Sequence, residues 1–363
     1  MRKQFTNKII ALLLIVFVAS CQKEKQDDRI GTYAESGSAI VVNEGAFGNN
    51  NGSVSFIDRN GKVTNNIFEL ANGGASLGDV VQSYTLVGNK GIICVNNSTK
   101  VEIVDARTFK RLGTITDAAK TNYARYAVGV NNDKAYVSNG SSDGIVAVIN
   151  LNDYTITKTI EVGKGPEQMV LSSNKVYVCN SGGWDIDNTL SVINTATETV
   201  DATITVGNVP TKIVKDALGY LWVLCTGGSD YSDYLNVTKL GDAKLVRINT
   251  SSNTIDKSFT LINAGETSIG LDLTIGDNGR TIYYAVGDNV YALGINESTL
   301  PTTALFAKNN IYGLSASPYN NQIWAMQAPN FSSGGYVFRY SSIGSLIDSI
   351  KVGIGPNNAV FNP

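Results

Sequence analysis

Apolar and polar positions alternate along most of this chain in runs of five to seven residues, the period of half-buried β-strands rather than of helices. The runs come in pairs that repeat. Lys134-Ala135-Tyr136-Val137-Ser138-Asn139-Gly140, followed by Val146-Ala147-Val148-Ile149-Asn150, matches Lys175-Val176-Tyr177-Val178-Cys179-Asn180-Ser181, followed by Leu190-Ser191-Val192-Ile193-Asn194. The same two-strand phrase recurs at Ile40, Ile92 and Leu221, with fainter copies at Ile282 and Ile323, which makes seven units. Measured between the ends of their second strands, at Asp58, Asp105, Asn150, Asn194, Asn249, Gly294 and Ser341, the steps are 47, 45, 44, 55, 45 and 47 residues. A period in the mid-forties built of short strands predicts an all-β, seven-bladed β-propeller with four strands to a blade.

Glycine and proline punctuate the crossings between blades, as in Val162-Gly163-Lys164-Gly165-Pro166 and Val206-Gly207-Asn208-Val209-Pro210. One further copy, Val352-Gly353-Ile354-Gly355-Pro356, precedes Asn357-Asn358-Ala359-Val360-Phe361 at the end of the chain, while the unit at Ala39 lacks an opening strand. The C-terminal strand is therefore expected to join the first blade and close the ring, removing its sheet edges. Residues 39–363 form a single propeller domain in this reading.

The N-terminal segment has a different character. Arg2, Lys3 and Lys8 precede an apolar run from Ile9 to Val18, about half the length a membrane-spanning helix needs, so residues 1–20 read as a signal peptide. Val18-Ala19-Ser20-Cys21 resembles the bacterial lipobox, which implies cleavage before Cys21 and its acylation, an anchor without a spanning helix. Gln22-Lys23-Glu24-Lys25-Gln26-Asp27-Asp28 resembles the acidic export signals of Bacteroidetes surface lipoproteins and reads equally as a solvated tether. Residues 21–38 are taken as a lipidated flexible tether with nothing to pack. Net charge is −2 for the whole sequence, with no basic run to suggest nucleic acid.

The chain contains no histidine, which eliminates histidine-based triads, general bases and metal ligands together. Beyond Cys21 there are three cysteines, Cys94, Cys179 and Cys225, each inside an apolar strand pattern and read as a small core residue. Neither a phosphate-cradling glycine loop nor a nucleophile elbow is present.

The phrases Val-Tyr-Val-x-Asn, Ser-Val-Ile-Asn and Val-Gly-x-x-Pro resemble those of the YncE-like, "surface layer protein" propellers over essentially the whole mature chain. Together with the lipobox and the acidic tether, the chain looks like the BtuG-type surface lipoproteins of Bacteroidetes. That resemblance implies a non-enzymatic protein that captures cobalamin or a related corrinoid and passes it to a TonB-dependent transporter of the outer membrane. It implies no cofactor other than the transported ligand, and a lipid-anchored location at the outer membrane on the cell surface.

In a propeller the loops between second and third strands share a face with the crossings between blades, the usual ligand platform. On this face the sequence places Phe47, Trp184, Tyr231, Tyr234 and Phe331 in loops, and Tyr84, Tyr123, Arg125, Tyr126 and Tyr312 at crossings. Rigid aromatics beside adaptable amides suit a large amphipathic ligand, and they suit the packing of loop bases as well. Glu44, Asp79 and Glu167 are carboxylates that reach the top of the channel, either as hydrogen-bond acceptors or, in a propeller-type lactonase or hydrolase, as metal ligands. The segment from Trp184 to Asn188 has some acidic calcium-loop character but lacks the glycine and final glutamate such a loop requires. A third function class is a surface adhesion or glycan-contact module.

Overall fold

The computed structural model describes residues 32–363. The expected signal peptide, Cys21 and the expected tether up to residue 31 lie outside the described residues. Seven four-stranded antiparallel sheets form the blades of a β-propeller. The second blade runs Val81–Val87, Lys90–Val95, Lys100–Asp105 and Arg111–Thr116 from the channel outward, and the next four blades repeat this order. The innermost strands of those four are Ala124–Asn131, Pro166–Ser172, Pro210–Lys215 and Leu271–Gly276, and that of the seventh blade is Ile311–Ala316. The first blade takes Ala39–Asn43, Ser53–Ile57 and Val63–Thr64 from the start of the propeller and its innermost strand, Pro356–Phe361, from the end. Ala39 pairs with Phe361 and Val42 with Asn358, so the ring closes as the repeat predicts.

The core lies between the blades. Seven apolar clusters fill the seven blade interfaces, because each strand's alternation presents one apolar row to the blade on either side. Trp222 is fully buried in one of them, its ring parallel to Phe259 and its Nε1 donating to Asp216 at 2.9 Å. Cys94, Cys179 and Cys225 are free and buried, as their strand setting implied. No helix among the described residues is long and apolar enough to cross a membrane.

Two details depart from the expected plan. The outer strands of the first and sixth blades shrink to two residues each, Val63–Thr64 and Phe306–Ala307, and a short helix, Ile67–Ala71, covers the first with Ile67 and Phe68 buried. Packing also begins before Ala39. The Tyr33 ring meets Phe56 at 5.3 Å and Phe109 at 5.8 Å, its carbonyl accepts from Asn362 Nδ2, and Glu35 pairs with Arg59. Residues 33–38 are thus a latch on the first and last strands rather than part of a tether. A charged, glycine-containing stretch with one tyrosine gave no periodic signal of this.

Candidate functional site

The crossings between blades build the channel mouth by a repeated backbone device. In every blade but the sixth the register slips by one residue just after the innermost strand begins, a β-bulge. The residue following the strand's first position is Asn357, Gln82, Arg125, Glu167, Thr211 or Tyr312 in those blades, and a bulge at that point re-aims a side chain off the sheet. The backbone ahead of it is also unusual. Gly165 and Gly355 take positive φ there, and a Cβ on Gly165 would fall 1.9 Å from the Gly183 nitrogen. Val80 and Val209 hold φ of 53° and 55° at the same place, conformations that strain a β-branched residue.

The cations at the mouth are paired. Arg125 Nε lies 3.0 Å from both oxygens of Glu167, and its Nη1 donates to Gln82 Oε1 at 2.6 Å. Lys212 Nζ lies 3.0 Å from Asp272. Burial works against both cations, but the neighbouring carboxylates outweigh it and hold their pKa values above the ordinary ones. Glu44 accepts from the Tyr312 hydroxyl at 2.8 Å and from Asn357 Nδ2 at 2.8 Å. Burial, and then Glu44, push the Tyr312 phenol well up, so it stays a donor.

Three cavities open on this face and share walls. A polar well of 270 Å³ sits at the channel mouth among Glu44, Gln82, Arg125, Tyr126, Lys212 and Tyr312. Arg125 is also in the wall of the second, 360 Å³, with Phe47, Asn96, Asn97, Tyr123 and Trp184. Trp184 in turn borders the third, 850 Å³, with Ile186, Val209, Tyr231 and Leu240. Trp184 is 82 % exposed and meets Tyr123 edge to face at 6.2 Å, standing as a fin between the two larger hollows. Asp79 fixes the first loop beneath Phe47 by accepting from Gly48 N at 2.8 Å and Asn97 Nδ2 at 2.6 Å.

Of the residues singled out by sequence, Phe47, Tyr123, Arg125, Tyr126, Trp184, Tyr231 and Tyr312 line these cavities. Tyr234 is exposed beside Tyr231 outside them, and Phe331 packs edge to face on Tyr312 at 5.0 Å. Tyr84 is a correction. It lies two residues beyond the bulge, so its ring turns into the core, stacked on Phe109 at 5.8 Å and 3 % exposed. Gln82, Lys212, Asn357 and Asn358 were missed; the alignment of the strands that follow Val206-Gly207-Asn208-Val209-Pro210 and Val352-Gly353-Ile354-Gly355-Pro356 could have found Lys212 and Asn357, which stand at neighbouring strand positions.

Glu167 and Asp272 are committed to cations, and among the described residues no three Cys, Asp or Glu side chains converge as metal ligands. In the acidic loop, Asp185 pairs with Lys164 at 2.8 Å, while Asp187 accepts from Thr189 N and Oγ1 and from Lys164 N.

The fold and its loop-face hollows define a seven-bladed β-propeller with a polar well and an aromatic-rimmed surface at one end of its channel. The chain belongs to the family described as Domain of unknown function (DUF5074), whose model matches residues 37–353. No curated protein matches it. Among solved structures, a quinonprotein alcohol dehydrogenase-like protein from Bacteroides thetaiotaomicron superposes with a TM-score of 0.66 at 14 % identity, covering 92 % of this chain and 79 % of that one. Hydrazine synthase of Kuenenia stuttgartiensis superposes with a TM-score of 0.60 at 15 % identity, covering 80 % and 89 %. At such identities the likeness is one of fold alone.

Proposed function

We propose that this protein is a non-enzymatic binder of cobalamin or a related corrinoid, held to the outer membrane through acylated Cys21 and delivering its ligand to a TonB-dependent transporter. The observation that carries the reading is the run of three wall-sharing cavities on the loop face, lined by the aromatics Phe47, Tyr123, Trp184 and Tyr231 and, in the first two, by asparagine and glutamine amides. Large flat ligands with an apolar body and many amide arms are held by such surfaces, through ring contact and hydrogen bonds rather than through one deep pocket. Arg125, Glu167, Lys212 and Asp272 are engaged with one another across the mouth, an arrangement that suits a fixed binding surface.

Recognition without histidine leaves cobalt coordination as it is in solution. Isothermal titration of the purified full-length protein with cyanocobalamin tests the reading, and the visible spectrum of the complex is expected to keep its base-on form. Absence of heat at micromolar protein and ligand would remove corrinoids as the ligand class. A base-off spectrum would contradict the mode of holding.

A further inference from the structure

The polar well at the channel mouth has spare hydrogen bonds but little spare charge, and this decides what fits it. Arg125 and Lys212 are each neutralised by a carboxylate, Glu167 and Asp272, yet neither has used all its hydrogens. Lys212 has three N–H donors and Asp272 as its carboxylate, and Arg125 has five donors, with Glu167 and Gln82 served by Nε and Nη1. Tyr126 accepts from Gln82 Nε2 at 3.4 Å and keeps its own hydroxyl hydrogen to give. These donors belong to the third and fifth blades. Acceptors stand at the first. Glu44 takes one hydrogen bond on each oxygen, from Tyr312 and Asn357, leaving lone pairs on both. Asn357, itself in the wall of the well and only 8 % exposed, has an Oδ1 with no partner at all.

We infer that the well is a subsite for a primary carboxamide presented by the ligand. The carbonyl oxygen would accept from Lys212 and Arg125, and the NH₂ would donate toward Glu44 on the other side of the channel. Such a group brings one acceptor and two donors with no net charge. A carboxylate would be set against Glu44, and an ammonium against Arg125 and Lys212, each repelled at close range in a partly desolvated hollow. A volume of 270 Å³ admits a short side arm but not a macrocycle, which leaves the body of such a ligand on the aromatic surface alongside, across the shared Arg125 wall.

This inference deepens the corrinoid reading, since corrin carries primary amide arms, but it can be tested apart from it. Saturation-transfer NMR on the full-length protein with propionamide, propionate or propylammonium asks about the well alone. Propionamide is expected to receive saturation. The signal should fall several-fold in the double variant Lys212→Gln/Asp272→Asn, which removes both members of the ion pair and so strands no buried charge. It should fall likewise in Glu44→Gln and persist in Trp184→Ala, with circular dichroism of each variant matching the parent. No transfer to propionamide, or equal transfer to propionate or propylammonium, would overturn the subsite. A second measurement joins it to the ligand: titration with cyanocobalamin and with its mono-acids, in which one amide arm at a time has become a carboxylate. One mono-acid is expected to bind at least ten-fold more weakly than the others. If cyanocobalamin binds and all mono-acids bind alike, the subsite inference fails and the corrinoid reading stands. If cyanocobalamin does not bind while propionamide does, the reverse holds.

Discussion

Trp184 and Tyr234 are both more than four-fifths exposed, but only Trp184 walls the cavities. Replacing Trp184 by alanine is therefore expected to weaken ligand binding by roughly 1–2 kcal/mol, a loss of one buried aromatic contact, while Tyr234→Ala leaves affinity within error. Titration of both variants with cyanocobalamin checks this, and equal losses would place the ligand elsewhere. The cysteines give a different residue-scale expectation. Burial pushes the Cys94 and Cys225 thiols up to about 12, and Cys179 well above its usual range. An acid whose folded pKa lies above its unfolded one leaves stability untouched below the unfolded value, near 9, and drains it as pH rises from there to the folded value. Each thiol should then cost about 1.4 kcal/mol per pH unit between those limits. Melting temperature should fall steeply between pH 8.5 and 10.5, and less so in a variant with all three cysteines replaced by alanine. An unchanged slope in that variant would assign the loss to other groups, such as the buried tyrosines.

Among the strands, one ion-pair pattern recurs without its charges keeping the same order. Glu102 with Arg111, Arg247 with Asp256 and Arg339 with Asp348 join third and outer strands, each partner nine residues from the other. Glu102 is the deepest of these, fully buried and also bonded to Lys100 and to Thr114 Oγ1 at 2.7 Å. Glu102→Ala takes the acceptor from those donors and is expected to destabilise the fold by about 1–3 kcal/mol, since Arg111 and Lys100 keep access to water. Asp348 is more exposed, so Asp348→Ala should cost no more than about 1 kcal/mol. Denaturant titration distinguishes the two. The blades themselves were legible in the sequence because Val-Tyr-Val-x-Asn carries both the alternation and the turn. The bulges were not, since one extra residue leaves no mark on hydrophobic period, and without them the side chain meeting the channel is misjudged by up to two positions. Tyr84 accordingly turns into the core, and the place at the channel falls to Gln82, two positions earlier. The pairing of Lys212 with Asp272 was not legible either, because an ion pair between separate blades has no signature in either strand alone.

At the scale of the whole molecule, the shape was readable from the repeat but the latch of Tyr33 to Ser38 was not, since its partners Phe109 and Asn362 lie far away in the chain. Loss of Pro356–Phe361 should expose the full edge of Ala39–Asn43. An open edge next to an apolar interface invites another strand. The protein truncated after Gly355 is expected to oligomerise in light scattering, and a synthetic peptide of residues 356–363 should return it to monomer. A truncated form that stays monomeric and melts with the parent would leave closure without a stabilising role. The same closure sets a timetable. Six blades assemble from segments that follow one another directly, whereas the first must wait for its two ends to meet across more than three hundred residues, an entropic handicap of about 5 kcal/mol for a flexible chain. Contacts of such separation are slow to form. Refolding from denaturant should accordingly run in two stages, rapid gain of β-structure and then a slower rise in Trp324 burial as Phe361 docks against it at 4.8 Å, with the second stage missing from the truncated chain.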